Sequence, residues 1–222
     1  MMRHRSVGID ALGRVRKRES ALGLGDIQRN LVGALFAIFG PTLGTGTAAV
    51  TPVGTVIEVS GSCIDHGRVL KFGDVVQIGD TLDVPAGAKL KLQMADGSVI
   101  SVAPDSSFTV ASYNINGSSR RVKLSLAQGV LHITSATRPF EVSSAVGTAV
   151  ASSASADWFV ESKAGSARVA VLAGIVDLTS NLIGQSVSIP AHWGARLEAG
   201  RVPVPPRVWN QMEFNAFIRI TQ

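Results

Sequence analysis

Residues 89–102 read KLKLQMADGSVISV, and this stretch decides the fold class. Leu90, Leu92 and Met94 alternate with Lys89, Lys91 and Gln93, so an extended strand carries the apolar side chains on one face and the polar ones on the other. Asp96-Gly97 supplies the positive-φ positions of a tight hairpin, and Val99–Val102 leaves it as a second strand.

The same grammar extends in both directions. Upstream, Thr55–Ser60 ends at Gly61, Arg68–Phe72 ends at Gly73-Asp74, and Val75–Ile78 ends at Gly79-Asp80. Downstream, Pro104-Asp105 turns the chain before Phe108–Val110. Val122, Leu124 and Leu126 alternate with Lys123 and Ser125; Phe140 and Val142 flank Glu141; Val187 and Ile189 flank Ser188. Trp158-Phe159-Val160 is apolar without alternation and reads as a buried strand. No window between Val53 and Gly200 sustains a helical apolar stripe. The expectation is an all-β body of a dozen or more short strands, at the spacing found in sandwiches, barrels and solenoids.

Two segments echo each other at an offset of about 46 residues. Arg121–Ser135 reads RVKLSLAQGVLHITS and Arg168–Ser180 reads RVAVLAGIVDLTS. Both pass from Arg-Val through Leu-Ala and a glycine to an apolar strand closing in Thr-Ser. This predicts two equivalent hairpins stacked in one layer, since neither could bury its apolar face alone.

Composition limits the function classes. The 222 residues are 45% hydrophobic and 17% charged, enough for a packed core. The net charge is +5, but residues 1–49 hold seven Lys/Arg against three acids, which leaves 14 basic and 13 acidic residues beyond them. The near-neutral body, with its Lys and Arg scattered along the chain, argues against nucleic acid as a partner. Residues 1–49 also hold Leu31–Gly40, an uninterrupted apolar run followed by Pro41 and small residues. A basic start, a short apolar core and small residues such as Ala48 or Ala49 at the end make a signal peptide. An N-terminal membrane anchor is the alternative, although the apolar core is half of the roughly 20 residues a spanning helix needs. In either case the body lies outside the cytoplasm, periplasmic or secreted, and touches a membrane only through an uncleaved N-terminal segment.

Chemistry is sparse. Cys63 is alone and reads as a small buried strand residue. His4, His66, His132 and His192 stand at no metal-ligand spacing. Asp74, Asp80, Asp83, Asp96 and Asp105 read as turn carboxylates, four of them directly beside glycine or proline. No catalytic, metal or cofactor residue is assigned, and an enzyme would need a deep polar pocket joining His132 or His192 to a carboxylate. Residues 201–222 are a Pro-rich linker and a C-terminal amphipathic segment. Trp209, Met212, Ala216 and Ile220, with Phe217 beside them, fall on one helical face. That segment docks on the body or meets a partner, and Trp209, Met212 and Phe217 are the candidate contacts.

The order of the motifs resembles the FecR domain. Gly54, Val59 and Gly61 come first, then Leu70, Gly73-Asp74, Val76 and Gly79-Asp80-Thr81-Leu82, then Leu90, Leu92, Ala95-Asp96-Gly97-Ser98, Ile100, Val102 and Pro104. The likeness continues through Leu124, Leu126, Gly129-Val130, Pro139-Phe140, Val142, Gly147-Thr148, Val169, Val171-Leu172 and Gly174-Ile175-Val176. The family usually has an aromatic after Gly-Thr; here Ala149 stands there and Trp158-Phe159 comes later. The resemblance implies a β-solenoid-like or sandwich-like FecR domain over residues 53–200, with a short C-terminal helix or arm. It further implies a non-catalytic signalling module of the cell envelope that binds a protein partner, in a stand-alone variant without the cytoplasmic anti-sigma region. A structural or polysaccharide-binding surface domain is the alternative.

Overall fold

Alternating apolar residues do build strands throughout the part of the chain that the structure, a computed structural model, describes: residues 52–116, 120–136, 139–153 and 155–222. The expected signal peptide or anchor at residues 1–49 lies outside them. In chain order the first strands are β1 (Pro52–Ser60), β2 (Ile64–Asp65), β3 (Arg68–Val69), β4 (Val75–Gln77), β5 (Thr81–Val84), β6 (Lys89–Met94), β7 (Val99–Val102) and β8 (Ser106–Asn114). They lead into β9 (Arg121–Ser135), the longest. Then come β10 (Phe140–Ser143), β11 (Gly147–Ala151), β12 (Ala156–Lys163), β13 (Ser166–Ala173), β14 (Ile175–Ser180), β15 (Ser186–Pro190), β16 (Trp193–Glu198) and β17 (Arg207–Val208). A single helix, α1 (Gln211–Thr221), follows. Among the described residues no helix is long and apolar enough to cross a membrane.

The strands form two sheets that share β9. The front sheet runs β4–β1–β6–β7–β9–β12–β13–β16–β17. The back sheet runs β3–β2–β5–β8–β9–β10–β11–β14–β15. Every pairing is antiparallel except β9 with β10. Between the sheets lies one core, to which the front sheet gives Val56, Leu92, Ile100, Ile133, Trp158 and Val169 and the back sheet gives Leu82, Phe108, Leu124, Phe140 and Leu178. The arrangement is sandwich-like. Cys63 is fully buried in this core, in the link between β1 and β2 rather than in a strand.

The two echoing segments are not hairpins. Residues 121–128 of β9 pair with β8 and β10 in the back sheet, while residues 129–135 pair with β7 and β12 in the front one. Gly129 stands at the bend with φ +98°. Its backbone passes so close to β8 that a Cβ there would lie 2.4 Å from the Ser106 Cα. The bend also shifts the alternation by one residue: Val122, Leu124 and Leu126 face the core before it, Leu131 and Ile133 after it. The second segment does the same in the opposite direction. β13 lies in the front sheet with Val169 and Val171 inward, and beyond Gly174 (φ +87°) β14 lies in the back sheet with Val176 and Leu178 inward. A left-handed glycine between two apolar strands turns the chain from one sheet to the other in both places.

Candidate functional site

The outer side of the front sheet carries a second apolar cluster, formed by Ala103, Val130, Phe159, Ala170, Trp209, Phe214 and Phe217. Strand register explains its shape. One row across the sheet is His132, Phe159, Ala170, Gly194 and Arg207, each opposite the next on β9, β12, β13, β16 and β17. His132 and Phe159 stack at 4.1 Å, and Phe159 stacks on Phe217 of α1 at 5.3 Å. Beside them Ala170 and Gly194 leave a shallow seat; a Cβ on Gly194 would lie 2.2 Å from the Trp209 ring. Trp209 fills the seat and meets Phe217 at 5.6 Å and Phe214 at 5.7 Å. Asn210 caps α1 reciprocally: the Glu213 amide donates to its Oδ1 at 3.0 Å, and its own amide donates to Glu213 Oε2 at 2.9 Å.

The next row is charged. Val130, Glu161, Arg168 and Arg196 stand opposite one another on β9, β12, β13 and β16. Glu161 is 5% exposed and accepts from the Arg168 Nε and, at 2.8 Å, from Lys163 Nζ. Burial by itself would push its carboxyl up; the hydrogen bonds from Arg168 and Lys163 outweigh that and hold it below the usual glutamate range. Arg168 also lies over the Phe217 ring at 5.3 Å, and Arg207 over Trp209 at 5.7 Å. The hydrogen bond from Arg207 lowers the Glu213 carboxyl, which in turn raises Arg207.

Two adjoining clefts lie on the Trp209 side of the docked segment, and a third, of about 360 Å³, reaches Ile220 from the side of Gly129, Val130 and Lys163. Of the adjoining two, one, of about 200 Å³, lies between α1 and the sheet, lined by Glu161, Arg168, Trp209, Glu213, Ala216, Phe217 and Ile220. The other, of about 320 Å³, is lined by Arg168, Arg196, Arg207 and Trp209 with Gly194, Ala195, Val204, Pro205 and Glu213. Arg168, Trp209 and Glu213 border both, so these two clefts form one groove.

Residues 80–177 match the family described as FecR protein. They form a FecR domain. The fold also resembles that of a candidate anti-sigma factor from Parabacteroides distasonis, with a TM-score of 0.51 at 12% identity. The alignment covers 62% of this chain and 63% of that one, so it spans under two thirds of the solved protein's length. A second crystal structure described in the same words gives 0.49 at 14% identity, covering 62% and 64%. No curated protein sequence matches.

Glu161 and Arg168 belong to the matched FecR segment, whereas Arg196, Arg207 and α1 follow it. Of the candidate contacts, Trp209 and Phe217 are buried in the outer cluster, 9% and 5% exposed, and Met212 stands apart at 79%. The buried helix face is Phe214, Phe217 and Thr221, not the Met212–Ala216–Ile220 face that the spacing suggested. Trp209 precedes the N-cap, so it does not share the phase of the helix. Sequence reading passed over Glu161, Arg168, Arg196 and Arg207. The usable signal was the Ala164-Gly165 turn, which sets Glu161 opposite Arg168.

Several of the remaining titratable groups have structural partners. His132 Nε2 lies 2.6 Å from Asp157 Oδ1, yet the pair lines neither cleft of the groove. His192 is exposed with φ +68°. Asp74, Asp80 and Asp96 accept from the backbone amides of Lys71, Gln77 and Ser98 at 2.9, 2.8 and 3.1 Å. Among the described residues Asp65, His66 and Asp80 bring three ligand-type atoms within 4.8 Å of one another. Each is engaged already: His66 Nδ1 with Asp65 Oδ1 at 2.7 Å, Asp65 Oδ2 with Arg68 at 3.4 Å, and Asp80 with the Gln77 amide.

Proposed function

We propose that this chain is a non-catalytic FecR-type signalling module of the cell envelope, placed outside the cytoplasm by residues 1–49 and acting by contact with a protein partner. The FecR match over residues 80–177 carries the reading. Its support on the contact side is the division of labour in the C-terminal segment: Trp209 and Phe217 hold α1 to the front sheet, which leaves Met212 free on the outer side. On the non-catalytic side, neither cleft of the groove takes in His66 or His132, the two histidines among the described residues that meet a carboxylate. The polysaccharide alternative draws less support. Its exposed aromatics, Phe72 and Trp193, belong to distant parts of the strand order, beside β4 and in β16.

Cross-linking of the tagged full chain in living cells, followed by recovery from the periplasmic fraction, tests this. Recovery in that fraction with a reproducible protein partner is expected. A chain retained in the cytoplasm, or one that captures glycan and no protein, sinks the proposal.

A further inference from the structure

We infer that the groove along α1 is the seat for an extended, acidic segment of that protein partner, with its carboxylates against Arg196 and Arg207 and an apolar side chain between Ala216 and Ile220. This deepens the proposal above and rests on it.

The charges around the groove are unequal. Five cations, Lys163, Arg168, Arg196, Arg201 and Arg207, share three carboxylates. Glu161 serves both Lys163 and Arg168, and Glu198 serves both Arg196, at 3.4 Å, and Arg201, at 3.6 Å. Of these, Arg168, Arg196 and Arg207 line the groove together with Glu161 and Glu213, an excess of one positive charge, while Lys163, Arg201 and Glu198 lie outside its lining.

Register makes the excess sharper. Arg168 and Arg196 stand directly opposite one another on β13 and β16. Like charges in that position repel, and sequences normally avoid them. Arg168 is taken up by buried Glu161 and the Phe217 ring, whereas Arg196 keeps a side chain 57% exposed and a long bridge to a carboxylate it shares. Arg207 is 63% exposed on the same cleft, with Nη1 and Nη2 already donating to the two carboxylate oxygens of Glu213. Arg196 thus presents the less engaged guanidinium to the groove, and the exposed edge of Arg207 lies beside it. Bidentate pairing with carboxylates is what that planar fork suits best.

The occupant's shape follows from the walls. The cleft holding the arginines is bordered by Val204 and Pro205 and continues past Trp209 to Ala216 and Ile220. A narrow run that is cationic at one end and apolar at the other fits an extended peptide bearing both acidic and aliphatic side chains. Trp209 is too covered to stack on a sugar ring.

The test uses the full chain and a fluorescein-labelled dodecapeptide of repeated Leu-Glu-Ser-Glu, with Leu-Gln-Ser-Gln as its neutral twin and oligogalacturonate as an anionic glycan. Saturable binding of the Glu peptide alone is expected, weakening several-fold as salt rises from about 50 to about 300 mM. Arg196→Glu with Arg207→Glu is expected to cost about tenfold or more in affinity, and the milder Arg196→Gln with Arg207→Gln less. Unchanged circular dichroism and thermal midpoint keep either result attributable to charge. No saturable binding of the Glu peptide, equal binding of the neutral twin, tighter binding of oligogalacturonate, or an unaffected charge-reversed variant would each overturn the inference. Failure here is separable from failure of the parent proposal. If the charge-reversed chain still captures the wild-type chain's cellular partner, only the groove falls; if the wild-type chain captures no protein, both fall.

Discussion

The core between the two sheets and the cluster beneath α1 both bury apolar side chains, but they are built from different materials. The inner core is mainly aliphatic and draws on almost every strand. The outer cluster is a short aromatic ladder, His132–Phe159–Phe217–Trp209–Phe214, edged by Arg168 and Arg207 and their carboxylate partners. The inner core defines the fold and has no exit. The outer cluster fastens one terminal segment to a finished sheet through a few contacts, so that segment can carry a surface without taking part in folding.

This contrast is broken most directly by emptying each cluster in turn. Trp158 is the largest wholly buried side chain of the inner core. Trp158→Ala should cost about 3–5 kcal/mol, read as a lowered denaturation midpoint with all probes moving together. Phe217→Ala should cost less, about 2–3 kcal/mol, because α1 can lift and relieve the cavity. Its signature is uneven: red-shifted Trp209 emission and cleavage between Arg207 and α1 at denaturant levels where the sheets persist. If the Phe217 variant unfolds in one step as completely as the Trp158 variant does, the two clusters are one cooperative body and the distinction fails.

Much of the inner core was legible in the sequence, and little of the outer cluster was. Alternation at Leu90, Leu92 and Met94 and the Asp96-Gly97 turn reports a local property, the period-two geometry of a strand, and the structure pairs β6 with β7 accordingly. The glycine corners were legible only in part. Gly129 and Gly174 announce a left-handed backbone, but that conformation serves a hairpin and a sheet-to-sheet bend alike. What separates the two is the one-residue shift in alternation across each glycine, a signal present in both segments. The groove escaped because it depends on register between strands far apart in sequence: nothing near Arg168 in the chain shows that Arg196 stands opposite it. The FecR likeness was legible in the order of the motifs, and residues 80–177 match that family.

Glu161 sharpens the comparison with pH, since the inner core's own titratable group, Cys63, is a thiol that burial pushes up, away from the acid range. Its folded carboxyl lies below the usual glutamate range, so the unfolded chain takes up a proton first as the solution is acidified. The stability it contributes is complete above the ordinary value of about 4.3 and is lost as pH falls through the lower folded value. Glu161→Gln should remove about 1–3 kcal/mol at neutral pH by taking away the charge and one of the two oxygens that Arg168 and Lys163 pair with, and should flatten the stability profile across that acid range. A variant whose acid dependence still parallels the wild type would assign the dependence to other carboxylates.

The smallest effect is expected at Met212, and there the two regions separate most cleanly. Met212 is 79% exposed on the side of α1 turned away from Phe214 and Phe217, so Met212→Ser removes no buried area from either cluster. The midpoint should stay within about 0.5 kcal/mol of the wild type, and Trp209 emission should not move. Met212 supports neither cluster, and contact with a partner is the role proposed for it. Cross-linking yield should therefore fall in Met212→Ser while folding is unchanged, the reverse of Trp158→Ala, in which folding fails first. Equal yields from Met212→Ser and the wild type would confine the contact to the groove and leave the outer face of α1 outside it.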